Sequence, residues 1–267
     1  MSGGVLSCWV RGVGLLGPGL SDWATGRELL ADPSRWLSAP TVVPAPSRLP
    51  AAERRRAGAI VKVGIAVADQ ACAQAGLDPA DLATVFSAST GDGANCHALC
   101  ETLAMPQRAV SPTRFTNSVH NAPAGYWHIA TASRAPSTSL CAHDASFGAG
   151  LLEAASQSLC GQRPVLLVAS DVPYPQPLQA VRPLADAMGV ALLLDAVPGD
   201  APLLRLRIEP AEAAPEACEH AGLEALRRGI PAARALPLLQ RMARGAGQPC
   251  VLEMLDGLAL AVTVEPA

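Results

Sequence analysis

RFTNSVHNAPAGYWHIA (114–130), followed at once by APSTSLCAHD (135–144), is the stretch from which the rest of the chain can be read. Its apolar and small residues predict a helix over 119–132. Pro123 belongs in the first turn or at a kink, because proline lacks the N–H that an interior position needs. Ser137 to Cys141 predicts a short strand. Asp144 then stands at the head of an Ala-rich run that predicts a second helix to about Leu159, and it suits the N-cap, where a carboxylate accepts free N–H groups. PVLLVAS (164–170) follows, short and continuously apolar, the pattern of a strand buried on both faces.

Working outward, Val5 to Val10 predicts a first strand broken by Gly12 and Gly14. Residues 40–50 hold four prolines and predict an ordered surface loop. From Ala51 to Gly76 a single long helix is predicted, because Ile60, Val63, Gly64, Val67, Ala68 and Ala71 fall at three- and four-residue spacing and Gly76 suits a helix C-terminus. Asp81 to Ser89 predicts a buried strand that runs into a small-residue turn, and 94–104 a short helix. Val190 to Asp195 and Leu203 to Ile208 predict two more strands. The tail predicts helices near 216–228 and 231–244, then two strands around an Asp256-Gly257 turn. Strands alternating with helices mean an α/β layered architecture.

Composition closes several alternatives. Of the 267 residues, 50% are hydrophobic and 16% charged, so a packed core is affordable and disorder is excluded as the main state. The formal net charge is -3 and no basic block is read anywhere, which leaves a nucleic-acid partner without an electrostatic footprint. No apolar run is long enough for a membrane span, and the first residues read as a strand, not a signal peptide. Eight cysteines spread singly make no disulfide framework and favour a reducing, cytoplasmic setting. Lys62 is the only lysine, so any mechanism that needs one must use it.

Three motifs could carry chemistry. Gly91-Asp92-Gly93 lies between strand and helix, but a dinucleotide loop would need a third glycine where Cys96 stands, so a tight turn is the better reading. Cys96, His97 and Cys100 share one helical turn, yet no second cluster completes a zinc set; apolar thiols on a buried helix face fit better, and no metal or cofactor is expected. Asp144-Ala145-Ser146-Phe147-Gly148 resembles a nucleophile elbow with Asp144 in place of its first glycine, which keeps Ser146 open as a nucleophile only in an alternative reading.

Taken in order, these segments resemble the core of β-ketoacyl-acyl-carrier-protein synthases. The helix of 114–130 before Ala135-Pro136, the strand, and the turn at 144 match that family's approach to its nucleophilic cysteine. WVRGVGLLGP (9–18), AGL (75–77) with VFSASTG (85–91), and RPVLLVASD (163–171) agree. The resemblance implies a thiolase-like layered fold with a complete first half over 1–208 and a shortened second half over 209–267, two helices and a terminal hairpin within one compact domain. It also implies departures. The family's cysteine falls on Asp144, with Cys141 three residues earlier; only His220 follows His143, outside any His-Gly-Thr pattern. Condensation needs a thiolate to hold the acyl group and imidazoles to stabilise the enolate oxygen. None stands at its expected position, so the expectation is a non-catalytic subunit of chain-length-factor type, similar to a short relative in aryl polyene pathways. Its partner would be a full-length ketosynthase in a heterodimer, with acyl carrier protein engaged through that partner. The alternative is a free-standing acyltransferase or thioesterase that uses Cys141 or Ser146.

By the same resemblance, Ala94, Cys96, His97, Cys100 and Leu103 line the partner's acyl tunnel, and Phe115, Val119, Asn121, Tyr126, Trp127 and Ile129 form the dimer interface. Composition adds weight: the chain has four Trp, two Tyr and three Phe, and three of those nine rings crowd into 115–129 beside Ala122, Ala124 and Gly125. Aromatic anchors beside small residues suit a partner surface. The competing reading is that they fill the chain's own core.

Overall fold

The computed structural model describes residues 4–245, 247–255 and 257–267. In chain order it contains β1 (Leu6–Leu16), α1 (Trp23–Ala31), α2 (Ala51–Arg56), α3 (Ala59–Ala75), β2 (Ala83–Ser87), α4 (Gly93–Ala104), α5 (Pro112–Thr116), α6 (Ala122–Thr131) and β3 (Ser137–Leu140). It continues with α7 (Ser146–Gly161), β4 (Val165–Asp171), α8 (Leu178–Val181), β5 (Met188–Asp195), β6 (Leu204–Ala211), α9 (Ala221–Gly229), α10 (Leu236–Arg244), β7 (Cys250–Leu255) and β8 (Leu258–Pro266). All strands join one mixed sheet in the order β3-β2-β4-β5-β1-β6-β8-β7. β2 is parallel to both β3 and β4, as strand–helix–strand connections require, and the remaining pairs are antiparallel.

Alternation along the central strands sends side chains to two cores. Leu166 and Val168 of β4 and Ala191 and Leu193 of β5 face α3 and α6. Their neighbours Val165, Leu167, Val190 and Leu192 face α7, α9 and α10, and α1 packs on the same side. The thiolase-like α/β layering is therefore present, and β4 lies well inside the sheet. The terminal hairpin does not stand apart: β8 pairs with β6 along Leu204–Ala211, and that strand runs straight through residue 208. Gly257 of the hairpin turn has φ 76°, while its partner Asp256 lies outside the described residues.

Several boundaries differ from expectation, among them the helix expected near 216–228, which begins only at Ala221. β1 does not break at its glycines but runs to Leu16. A Cβ at Gly12 would lie 2.1 Å from the Ala71 carbonyl oxygen and one at Gly14 1.9 Å from that of Val67, so these glycines let α3 lie directly on the strand. β6 covers β1 only as far as Val10; beyond it, the Val13 and Leu15 N–H groups donate to Gln74 and Gln70 of α3, at 2.8 and 2.9 Å. The helix expected over 51–76 is in fact α2 and α3, separated by extended backbone at Ala57 and Gly58. The Asp92 carboxylate occupies the space where a Cβ at Gly58 would sit, 2.0 Å away. Other boundaries agree: Pro123 sits in the first turn of α6, and Gly76 closes α3 with φ 64°. Among the described residues no helix is long and apolar enough to cross a membrane, and no group of three or more His, Cys, Asp or Glu converges as metal ligands would.

Candidate functional site

β3 delivers the chain to the head of α7 through Cys141, Ala142 and a 3-10 turn, His143–Ala145, in which His143 takes the left-handed conformation, φ 52°. Asp144 sits in that turn. It does not cap α7 as expected, because two guanidinium groups compete for its carboxylate. Arg182 Nη2 lies 2.7 Å from Oδ1 and Arg234 Nη2 3.5 Å from Oδ2. Arg234 also reaches Glu253 Oε2 at 3.1 Å, and Arg182 touches the His143 ring. Burial opposes the charge on Arg182, but the Tyr174 hydroxyl and Asp144 outweigh it and hold its pKa above the ordinary guanidinium value. Arg234 and Glu253 come from the tail, so the last hairpin helps to close this turn.

A polar string runs inward from there. The Tyr174 hydroxyl lies 3.0 Å from Ser89 Oγ, and the Ser89 N–H donates to buried Asp171 at 2.9 Å. Burial pushes the Asp171 carboxyl up to about 6, against the bonds from Ser89 and Ala232 that favour its anion. Cys141 donates its thiol proton to the Ser89 carbonyl. Ser146 is fully committed: its Oγ accepts from the Ala142 N–H at 3.0 Å and donates to the His143 carbonyl at 2.7 Å. No imidazole nitrogen hydrogen-bonds either Cys141 or Ser146 among the described residues, so neither has the base that activates a nucleophile.

The second candidate region is the face built by α2, α4, α5 and α6 beside the edge strand β3. Asp92 caps α4 by accepting from the Asn95 N–H, and the Asn95 amide donates to the Arg114 carbonyl of α5 at 2.7 Å. Asn95 is the one buried residue of α4. Ala94, Cys96, Cys100 and Leu103 are exposed, and His97 is half-buried beside Glu101 at 3.4 Å. The expected burial of the two thiols is thus corrected: α4 packs mainly on α5 and leaves both of them exposed. Phe115, Val119 and Ile129 are also exposed, at 68, 50 and 51%. With Tyr126, Asn121 and Glu53, two of them line an open groove of about 270 Å³.

Two expected interface anchors turn inward. Trp127 is wholly buried in the core that α3 covers, and Tyr126 is 7% exposed with its hydroxyl donated to Asn117 Oδ1 at 3.1 Å. Helical spacing explains the split: 123, 124 and 127 share the inner side of α6, whereas 121, 125 and 129 face outward. Sequence reasoning misses Arg182, Arg234 and Glu253, since nothing local signals that residues so much further along the chain converge on position 144.

The sequence matches the family of the β-ketoacyl synthase N-terminal domain over residues 28–246. The chain belongs to that family. No curated protein matches it in sequence. Among solved structures, it is similar to a chain of a ketosynthase in complex with its chain length factor from Xenorhabdus doucetiae, with TM-score 0.74 and 22% identity over 97% of this chain and 99% of that one. It is also similar to a chain of a type II polyketide synthase acyl-carrier protein in complex with its hexaketide-bound ketosynthase, with TM-score 0.75 and 12% identity over 98 and 99%. A ketosynthase from module 1 of the bacillaene synthase of Bacillus amyloliquefaciens FZB42 is matched with TM-score 0.58 and 13% identity, over 79% of this chain but 47% of that one. At these identities the likenesses speak for the fold.

Proposed function

We propose that this member of the family is a non-catalytic, chain-length-factor-type subunit. It pairs with an active β-ketoacyl synthase and shapes that enzyme's acyl tunnel in fatty-acid- or polyketide-type biosynthesis, the aryl polyene pathways included. The observation that carries the reading is Asp144. Where the resemblance places a nucleophilic thiol, the chain holds a carboxylate fixed between Arg182 and Arg234. A carboxylate so engaged has no reason to accept an acyl group, and the neighbouring Ser146 and Cys141 lack a base.

Residues 1–208 then supply a ketosynthase-like motif, with 209–267 as its shortened counterpart. The uncovered apolar side chains of α4 and the open edge of β3 supply the pairing face, with Cys96, Cys100 and Leu103 turned toward the partner's tunnel and Phe115, Val119, Asn121 and Ile129 at the contact. Eight free thiols suit the cytoplasm.

The experiment is intact-mass analysis of the isolated chain after incubation with acyl thioesters, joined to co-expression with a full-length ketosynthase from the same genome. The expected result is no covalent adduct on the chain, a stable complex, and shorter products when Cys100 or His97 is replaced by Trp. A stoichiometric adduct abolished by Cys141→Ala or Ser146→Ala would favour the free-standing acyltransferase instead.

A further inference from the structure

The pairing face carries a charge pattern that the chain's composition hides. The formal net charge is -3, yet Arg54, Arg55 and Arg56 on α2, Arg108 after α4 and Arg114 on α5 are all exposed. α2, which bears three of them, has no buried residue at all. It is joined to the groove by the Asn117 amide, which donates to the Arg56 carbonyl at 3.0 Å, and by Glu53, which lines the groove itself.

Five guanidinium groups here face three nearby carboxylates, Glu53, Asp92 and Glu101, the last lining a second pocket with Arg108 and Arg114. Glu53 pairs with Arg56 at 2.9 Å, Asp92 accepts from the Asn95 N–H, and Glu101 lies against His97. Arg54 spends its Nη2 on the Leu49 and Ser47 carbonyls. Arg55, Arg108 and Arg114 have no carboxylate within ion-pair distance among the described residues. A small helix that buries nothing and displays uncompensated cations beside an apolar groove does not help this chain to fold.

We infer that this face selects, within the partner proposed above, an apolar surface segment flanked by carboxylates, and that it rejects a second copy of this chain. Charge complementarity argues for the first half. Arg55 stands on α2 and Arg114 on α5, the two elements that bring Glu53 and Thr116 to the groove wall, so aliphatic side chains in the groove with Asp or Glu beyond its rim would satisfy both. Symmetry argues for the second half. A two-fold homodimer brings the same patch against itself, and here that sets a net positive face against a net positive face. The inference rests on the ketosynthase-partner reading, which it deepens by stating what chemistry that partner must present.

The test uses the full chain and the full-length ketosynthase with which it co-purifies, with affinity measured by sedimentation and native mass spectrometry at about 50 and 500 mM salt, conditions that span weak to strong screening. Arg55→Glu/Arg114→Glu should weaken the complex about tenfold or more at the lower salt and much less at the higher, with Arg55→Gln/Arg114→Gln intermediate. Melting curves should match the wild type, since both side chains are exposed. The isolated chain should stay monomeric in the same buffers. A complex that the reversal leaves unchanged or tightens overturns the inference while the partner reading stands. So does a stable homodimer at low salt. Absence of any complex at either salt overturns both.

Discussion

Trp127 and Asp144 show how much a single residue's meaning depends on what surrounds it. The crowding of rings into 115–129 is plain in the sequence, but composition cannot say which ring faces in. Phe115 ends outside, and Trp127 ends with no exposed surface. Trp127→Ala should therefore cost about 3–5 kcal/mol of folding stability, read as a lower urea midpoint in the isolated chain, with no separate effect on pairing once folded protein alone is compared. Asp144 was legible by counting from Ala135-Pro136. Its partners were not: Arg182 and Arg234 lie 38 and 90 residues further on, and periodicity carries no information at that range. Asp171 supplies a pH signature. Burial raises its folded-state carboxyl from 3.8 to about 6, so the folded protein keeps a proton that the unfolded chain has already lost. The associated stability is fully present below the unfolded value and is lost as pH rises through 6. Denaturation midpoints should thus be higher at pH 5 than at pH 7, by an amount worth about 1 kcal/mol, and Asp171→Asn should flatten the difference. Glu224, held down to about 2 chiefly by Arg227, is ionised throughout that window and does not mask it.

At the scale of elements, the strands were read well because short apolar runs between turn residues admit few other structures. Helix ends were read less well, because they are decided by contacts. Gly12 and Gly14 look like strand breakers in isolation; they are instead the places where α3 touches β1, with carbonyl oxygens standing where side chains would be. Gly14→Ala must push α3 off the sheet. It should cost about 3 kcal/mol or more, seen as a drop in thermal midpoint, whereas Gly76→Ala meets no atom and is opposed only by its positive φ. The split between α2 and α3 has the same origin, since Asp92 fills the space beside Gly58 from an element whose position the sequence does not announce. α4 is the opposite case. Its helical period was legible, but its thiols look like core residues only until the fold is seen to leave both exposed.

For the whole molecule, α/β layering followed from the alternation of elements. The joining of the terminal hairpin to the same sheet did not, because strand pairing between β6 and β8 leaves no trace in local pattern. The place of β1 has a further consequence. Trp9 pairs with Asp195 on one side and Arg205 on the other, so β1 waits for the chain to reach β5 and β6 before either neighbour exists. Until then it has helices such as α1 and α3 to pack on but no strand beside it, and long-range pairing of this kind folds slowly. A nascent chain arrested before residue 188 has no middle to its sheet. Translation past that point, more than any local hairpin, decides when this protein first becomes compact, and unfinished copies are the ones that chaperones and proteases must handle.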